Sequence, residues 1–213
     1  MNERSFENLK MTEKGKTKQQ CVVDAARRLL ATEGLHGLSI KLLVKESGVA
    51  AGTIYLHFKD KQDIVRQVHA SVLNEVAHAM SQNHDVKQPL FQQYQTLWRN
   101  LWVYFQKHPN TLLVKAQFDN LPDFALRQVM HEAKKSFLAI FEMFETGRQS
   151  GEIINLPDDV LGSLSFETCA TLARRQVLGM IEMNEEMLQQ CILASWQAIA
   201  ITSVRQDKVE NMK

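Results

Sequence analysis

The run Gly52-Thr-Ile-Tyr-Leu-His-Phe-Lys-Asp-Lys61 gathers the Thr53 hydroxyl, the Tyr55 phenol and the ammonium groups of Lys59 and Lys61 into one short stretch. Hydroxyls, ammonium groups and the N–H groups of a helix N-terminus are what hold phosphate oxygens, whatever the base sequence beside them. Directly upstream, Ser39 to Ile54 has the spacing of a helix-turn-helix. Gly48 supplies the tight turn, and Leu43, Val44, Val49 and Ile54 fall where two steeply crossed short helices face one another. The second helix of such a pair fits the major groove of DNA. This is chemistry of gripping a polyanion, not of making or breaking bonds.

The rest of the chain offers little to catalysis. No Ser/His/Asp arrangement and no phosphate-cradling glycine loop is present, and the seven histidines include no HExxH or closely paired spacing. The three cysteines, Cys21, Cys169 and Cys191, form neither a CxxC pair nor an even-numbered framework, so a zinc site and a disulfide scaffold are not expected. Cys169 and Cys191 read as small buried hydrophobes. No catalytic residue, metal or cofactor is expected.

Charge singles out the same region. Residues 14–61 hold nine Lys and Arg against four Asp and Glu, whereas the 213-residue chain as a whole carries only +1. A basic head on a mildly acidic body suits an anionic partner, although a solvated lysine-rich surface would give the same sum. With 45% hydrophobic residues the chain is too apolar to be disordered, and it has no apolar run of the length a membrane span needs. Residues 1–18 lack the apolar stretch of a secretory signal, so a reduced, cytoplasmic protein with no membrane partner is expected.

The elements that must position these groups read as helices almost throughout. Apolar residues three and four apart predict a helix over Thr17–Glu33 that stops at Gly34, followed by a link through Leu38. Ser39 caps a short helix to about Glu46, another covers Ala51–His57, and a longer one runs from Asp60 to about Gln82. Pro89 opens a helix that Pro109 closes, and a short one reaches about Asn120. Pro122 opens a long helix to near Gly151. Two more cover Asp158–Met180 and Glu185–Val204, and a polar tail frays beyond. The fold class is all-α, with about nine helices: a three-helix head, residues 14–61, and a larger body, residues 62–205.

The stretches "EGLHGLS" and "SGVAAGTIYLHFKDK", set within residues 17–65, resemble the DNA-binding head of the tetracycline-repressor (TetR) family. The resemblance implies a homodimeric, ligand-responsive transcription regulator, most often a repressor, whose two heads read an inverted-repeat operator in double-stranded DNA. It implies that Lys41, Ala51, Gly52 and Leu56 approach base edges, while Thr53, Tyr55, His57 and Lys61 hold phosphates or support the elements that do. Lys59 fits either a phosphate contact or a solvated lysine, and Phe58 fits the core of the head. Two departures stand out: Val44 replaces the family's usual small alanine, and Ala50-Ala51 replaces a polar-basic pair, which shifts discrimination toward Lys41, thymine methyls and DNA shape.

Eleven of the sixteen Phe, Trp and Tyr residues lie between Phe91 and Phe144. Tyr94, Trp98, Trp102 and Phe105 recur at helical spacing, as do Phe137, Phe141 and Phe144, with Phe118 between the two sets. Such stripes are either plain core or the lining of a cavity for a small apolar or aromatic effector, which the resemblance expects in this part of the chain. Asp119, Glu142, Glu145 and Arg175 are the polar candidates around it. The last two helices carry Leu161, Leu164, Leu172, Leu188, Ile192, Trp196 and Ile199, which by the resemblance would build a four-helix dimer interface. A second class of function fits the charge pattern too: a helical adaptor whose basic head binds RNA or an acidic protein.

Overall fold

The computed structural model describes residues 16–118 and 135–201. These form two compact units, residues 16–73 with 113–118 and residues 74–112 with 135–201. Packing therefore groups residues 62–73 and 113–118 with the basic head, beyond the expected 61/62 boundary.

In the first unit, α1 (Lys18–Thr32) starts on a reciprocal cap. Thr17 Oγ1 accepts the Gln20 N–H at 3.2 Å, and Gln20 Oε1 accepts the Thr17 N–H at 2.9 Å. Val22, Ala25, Ala26, Leu29 and Leu30 form its buried stripe. The link expected after Gly34 is itself one helical turn, α2 (Gly34–Gly37), entered through Gly34 at φ +68°. Ser39 Oγ caps α3 (Ile40–Ser47) by accepting the Leu42 N–H at 3.3 Å. That helix ends at Gly48, whose φ of +69° is the left-handed conformation a side chain resists. The turn leads into α4 (Ala51–His57), and Leu43, Val49, Ile54 and Phe58 are buried where α1, α3 and α4 meet. Arg28 Nε holds Glu46 Oε1 at 2.7 Å, tying α1 to α3. α5 (Lys61–Met80) contributes residues to both units.

In the second unit, α6 (Leu90–Lys107) buries Leu90, Gln93, Tyr94, Leu97, Trp98, Leu101, Trp102 and Phe105. α7 (Pro109–Phe118) follows, its residues 113–118 belonging to the first unit. Of the long helix expected from Pro122, the part before residue 135 lies outside the described residues, and the remainder is α8 (Leu138–Ser150). α6 packs against α8, α10 (Phe166–Val177) and α11 (Glu185–Ile199).

Two sequence expectations fail here. The helix expected over Asp158–Met180 breaks into α9 (Asp158–Leu164) and α10, because Ser165 leaves helical geometry at φ −116°, ψ −83°. Its buried hydroxyl donates to the Leu161 carbonyl at 2.5 Å, the local alternative that serines offer the backbone. The last helix stops at Ile199 rather than Val204. Ala200 pairs with Ile153 as an isolated antiparallel bridge: Ile154 N–H donates to the Ile199 carbonyl at 2.9 Å and Ile201 N–H to that of Glu152 at 2.8 Å. Ile153 is buried so close to α8 that a Cβ on Gly147 would lie 2.4 Å from its Cδ1. No helix among the described residues is long and apolar enough to cross a membrane.

Candidate nucleic-acid interface

The short helix α4 is two-faced. Ile54 and Phe58, one turn apart, are 0% and 2% exposed and anchor it to α1 and α3. Ala51, Gly52, Tyr55 and Leu56 turn outward; Tyr55 is 61% and Leu56 70% exposed. Thr53 and His57 are half-buried at the border. A helical glycine costs about 0.5–1 kcal/mol relative to alanine. Nothing lies within 4 Å of a Cβ built on Gly52, so no packing inside the chain requires glycine there.

Lys41, Lys59 and Lys61 are exposed and make no ion pair among the described residues. The entrance to α5 is ordered by carboxylates instead. Asp60 Oδ1 accepts the Asp63 N–H at 2.7 Å and Asp63 Oδ2 accepts the Lys59 N–H at 3.0 Å, leaving the lysine ammonium groups unspent. His57 Nε2 is buried without a hydrogen-bond partner among the described residues. The outward surface combines apolar contact area, a glycine gap and free cations, which is what a helix laid against base edges and flanked by phosphates presents.

The aromatics of the body separate into two groups. Tyr94, Trp98, Phe105 and Phe144 are almost fully buried, Trp102 nearly so, and Phe137 and Phe141 half-buried, all in the second unit. Phe118 belongs to the first unit, where its ring packs on His69 with centroids 4.2 Å apart and the planes tilted by 32°. Trp98 and Trp102 stack at 6.0 Å and 12°, and Tyr94 packs on Phe166 at 5.0 Å and Trp196 at 5.3 Å. The Tyr94 hydroxyl donates to Ser195 Oγ at 2.7 Å, and burial pushes this phenol and the Cys169 thiol well above their usual ranges. The expected polar candidates lie elsewhere. Glu142 and Arg175 are exposed, Glu145 is paired with Arg148 at 2.9 Å, and Asp119 lies outside the described residues.

Residues 22–68 match the family described as bacterial regulatory proteins, tetR family, and residues 89–200 match the tetracyclin repressor-like C-terminal domain. The chain belongs to the TetR family. It is 33% identical over 178 residues, 84% of this chain and 93% of the other, to an uncharacterized HTH-type transcriptional regulator of Haemophilus influenzae. It is 31% identical over 140 residues, 62% of this chain and 69% of the other, to the fatty acid metabolism regulator protein of Bacillus subtilis. Among solved structures, a TetR family protein of Vibrio parahaemolyticus aligns with TM-score 0.78 and 33% identity, over 87% of this chain and 100% of that one. A TetR-family regulator of H. influenzae aligns with TM-score 0.75 and 31% identity, over 86% and 97%.

As a TetR-family regulator, the chain is a DNA-binding transcription factor. Of its departures from the family pattern, Val44 is half-buried beside the turn and its carbonyl accepts the Gly48 N–H at 3.0 Å. The residues expected at the dimer interface divide by register. Leu161, Leu188, Ile192 and Ile199 are buried within the second unit; Leu172 and Trp196 are half-buried, and Leu164 is exposed. The outward apolar residues of the same region are Val160, Leu164, Leu178, Met180, Met187 and Leu193. Sequence periodicity marks an apolar stripe without saying whether the core or a second chain covers it, so both sets look alike before folding.

Proposed function

We propose that this TetR-family regulator is a cytoplasmic homodimeric repressor whose two heads bind an inverted-repeat operator, and that a small apolar effector taken up by the second unit releases it. The observation that carries the DNA-binding part is the outward face of α4, Ala51, Gly52, Tyr55 and Leu56, flanked by the unspent cations Lys41, Lys59 and Lys61. In this reading Gly52 and Ala51 let the helix backbone approach the bases and Leu56 covers thymine methyl groups. Lys41 reaches a base edge, and Thr53, Tyr55, His57, Lys59 and Lys61 hold or support phosphate contacts.

Two further observations support the remaining parts. The exposed Val160, Leu164, Met187 and Leu193 on α9 and α11 form apolar surface that a second copy would cover. The core of the second unit is aromatic and apolar, which favours an apolar effector, and the related B. subtilis protein is named as a regulator of fatty acid metabolism.

The deciding experiment is binding to an operator selected from a random DNA pool, titrated with salt. A dimeric regulator should select an inverted repeat, with half-sites one helical turn or a multiple apart, and lose affinity steeply with salt. Selection of a single half-site, or preference for RNA or an acidic protein over every duplex, would overturn it.

A further inference from the structure

Two buried N–H groups of the second unit have no acceptor among the described residues: Trp98 Nε1 and Gln106 Nε2. Trp98 is 0% exposed. The Gln106 amide is oriented by a chain of bonds that starts at a backbone group able only to donate. Met183 N–H requires an oxygen, so Gln176 turns its Oε1 to it at 3.0 Å. Gln176 Nε2 must then donate, and Gln106 Oε1 accepts it at 3.1 Å. Gln106 Nε2 is what remains. Flipping either amide would set donor against donor, so the leftover group is a donor by necessity.

The two donors share one side of α6, at positions 98 and 106, with Trp102 one turn from each and stacked parallel to Trp98. Both residues meet α10: the Trp98 carbonyl accepts the Cys169 thiol at 3.8 Å, and Gln106 bonds Gln176. Among the described residues of this unit, the unpartnered buried side-chain atoms are these two donors and no acceptor. An unpaired buried N–H is costly, and a molecule that brings an acceptor recovers that cost while one that brings only hydrogens does not.

We propose that the effector is a neutral, apolar molecule carrying carbonyl-type oxygens, and that Trp98 Nε1 and Gln106 Nε2 are the groups that read them. This rests on the reading that the effector enters the second unit. Neutrality rests on the Trp98 end, where the adjacent cation Arg99 is already paired with Glu185. The donors sit on residues about 12 Å apart along the helix axis. A long chain with two oxygens engages both, and a compact ketone engages Trp98 alone.

The test uses the full chain labelled with 15N at its indoles, the Trp98 resonance being assigned by its loss in Trp98→Phe. Two matched pairs are titrated: benzophenone against diphenylmethane, and methyl decanoate against undecane. The expected result is that the carbonyl member of at least one pair binds roughly tenfold more tightly than its hydrocarbon match and moves the Trp98 indole proton downfield. That preference should collapse in Trp98→Phe and, for the ester, weaken in Gln106→Leu. Should Trp98→Phe fail to fold, Gln106→Leu and the parent spectrum decide. Equal affinities within each pair, no binding by any of the four, or an indole proton that already exchanges rapidly with water and ignores the ligands would overturn the assignment. Operator release is scored separately. Release by hydrocarbon and carbonyl members alike keeps the effector reading and sinks this one, whereas carbonyl preference without release does the reverse.

Discussion

Leu56→Ala separates the two faces of α4. Leu56 keeps 70% of its surface exposed in the chain, so truncation removes under a third of a burial worth about 1.5–3 kcal/mol, and stability should fall by less than ~1 kcal/mol. Ile54, two residues earlier and 0% exposed, should cost about 2–5 kcal/mol as Ile54→Ala, because a cavity is left as well. On DNA the order reverses. If Leu56 covers thymine methyl groups, its exposed surface is what binding buries, and Leu56→Ala should weaken the selected operator by roughly 1–2 kcal/mol, about 5–30-fold per half-site. Binding to random duplex of the same length should change little, since phosphate contacts are untouched. Urea unfolding gives the first quantity and fluorescence anisotropy at fixed salt the second. The reasoning fails if Leu56→Ala destabilises the fold by more than ~2 kcal/mol, or if cognate and random DNA lose affinity equally.

Lys61→Ala should weaken all duplexes alike and lower the salt slope by about 1, whereas Lys41→Ala should cost roughly 1–3 kcal/mol chiefly on the operator; equal losses on both DNAs would reassign Lys41 to the phosphates. Ser195→Ala should destabilise more than Tyr94→Phe. The first strands the buried Tyr94 hydroxyl at a cost of about 1–3 kcal/mol, while after the second Ser195 still donates to the Cys191 carbonyl at 2.8 Å; paired urea melts that rank them the other way refute this. Gly147→Ala gains about 1 kcal/mol of helix propensity but meets Ile153 Cδ1 at 2.4 Å. The melting temperature should therefore fall, and Ile153→Val should restore part of it; a rise in Gly147→Ala would show that Ile153 moves aside freely. Folding holds the Cys169 thiol and the Tyr94 phenol protonated, both raised by burial, so their contribution is complete at neutral pH. It should drain as pH climbs past the unfolded values near 9 and 10, by up to ~1.4 kcal/mol per unit and group. Tyr94→Phe should flatten the alkaline limb, and an unchanged slope would mean that the phenol ionises in place.

The head was legible because its information is local. A cap residue, a positive-φ glycine and apolar residues at fixed spacing determine α1, α3 and α4 almost without reference to the rest of the chain, and the four outward residues of α4 follow from Ile54 and Phe58 pointing in. Elsewhere the deciding contacts are distant. Ser165 breaks its helix through its own buried hydroxyl, which no periodicity announces. Phe118 joins the head by packing its ring on His69, far away in sequence. The leftover amide of Gln106 is visible only once Met183 and Gln176 are placed. Periodicity found the apolar stripes of α9 and α11, but Leu188 and Ile192 turned out to close their own unit while Met187 and Leu193 face out.

The bridge between Ile153 and Ala200 encloses α9, α10 and α11 in a loop whose two ends are joined by backbone bonds. Closing such a loop costs entropy once, and opening it returns that entropy only when the enclosed helices come apart together. The amides of Ile154 and Ile201 are therefore natural reporters of the whole loop. In native-state hydrogen exchange they should open with the slowest amides of α10 and α11 rather than fray with the chain around them. On a ribosome the same bond sets a schedule, because helices made earlier wait unlatched until Ile201 has emerged.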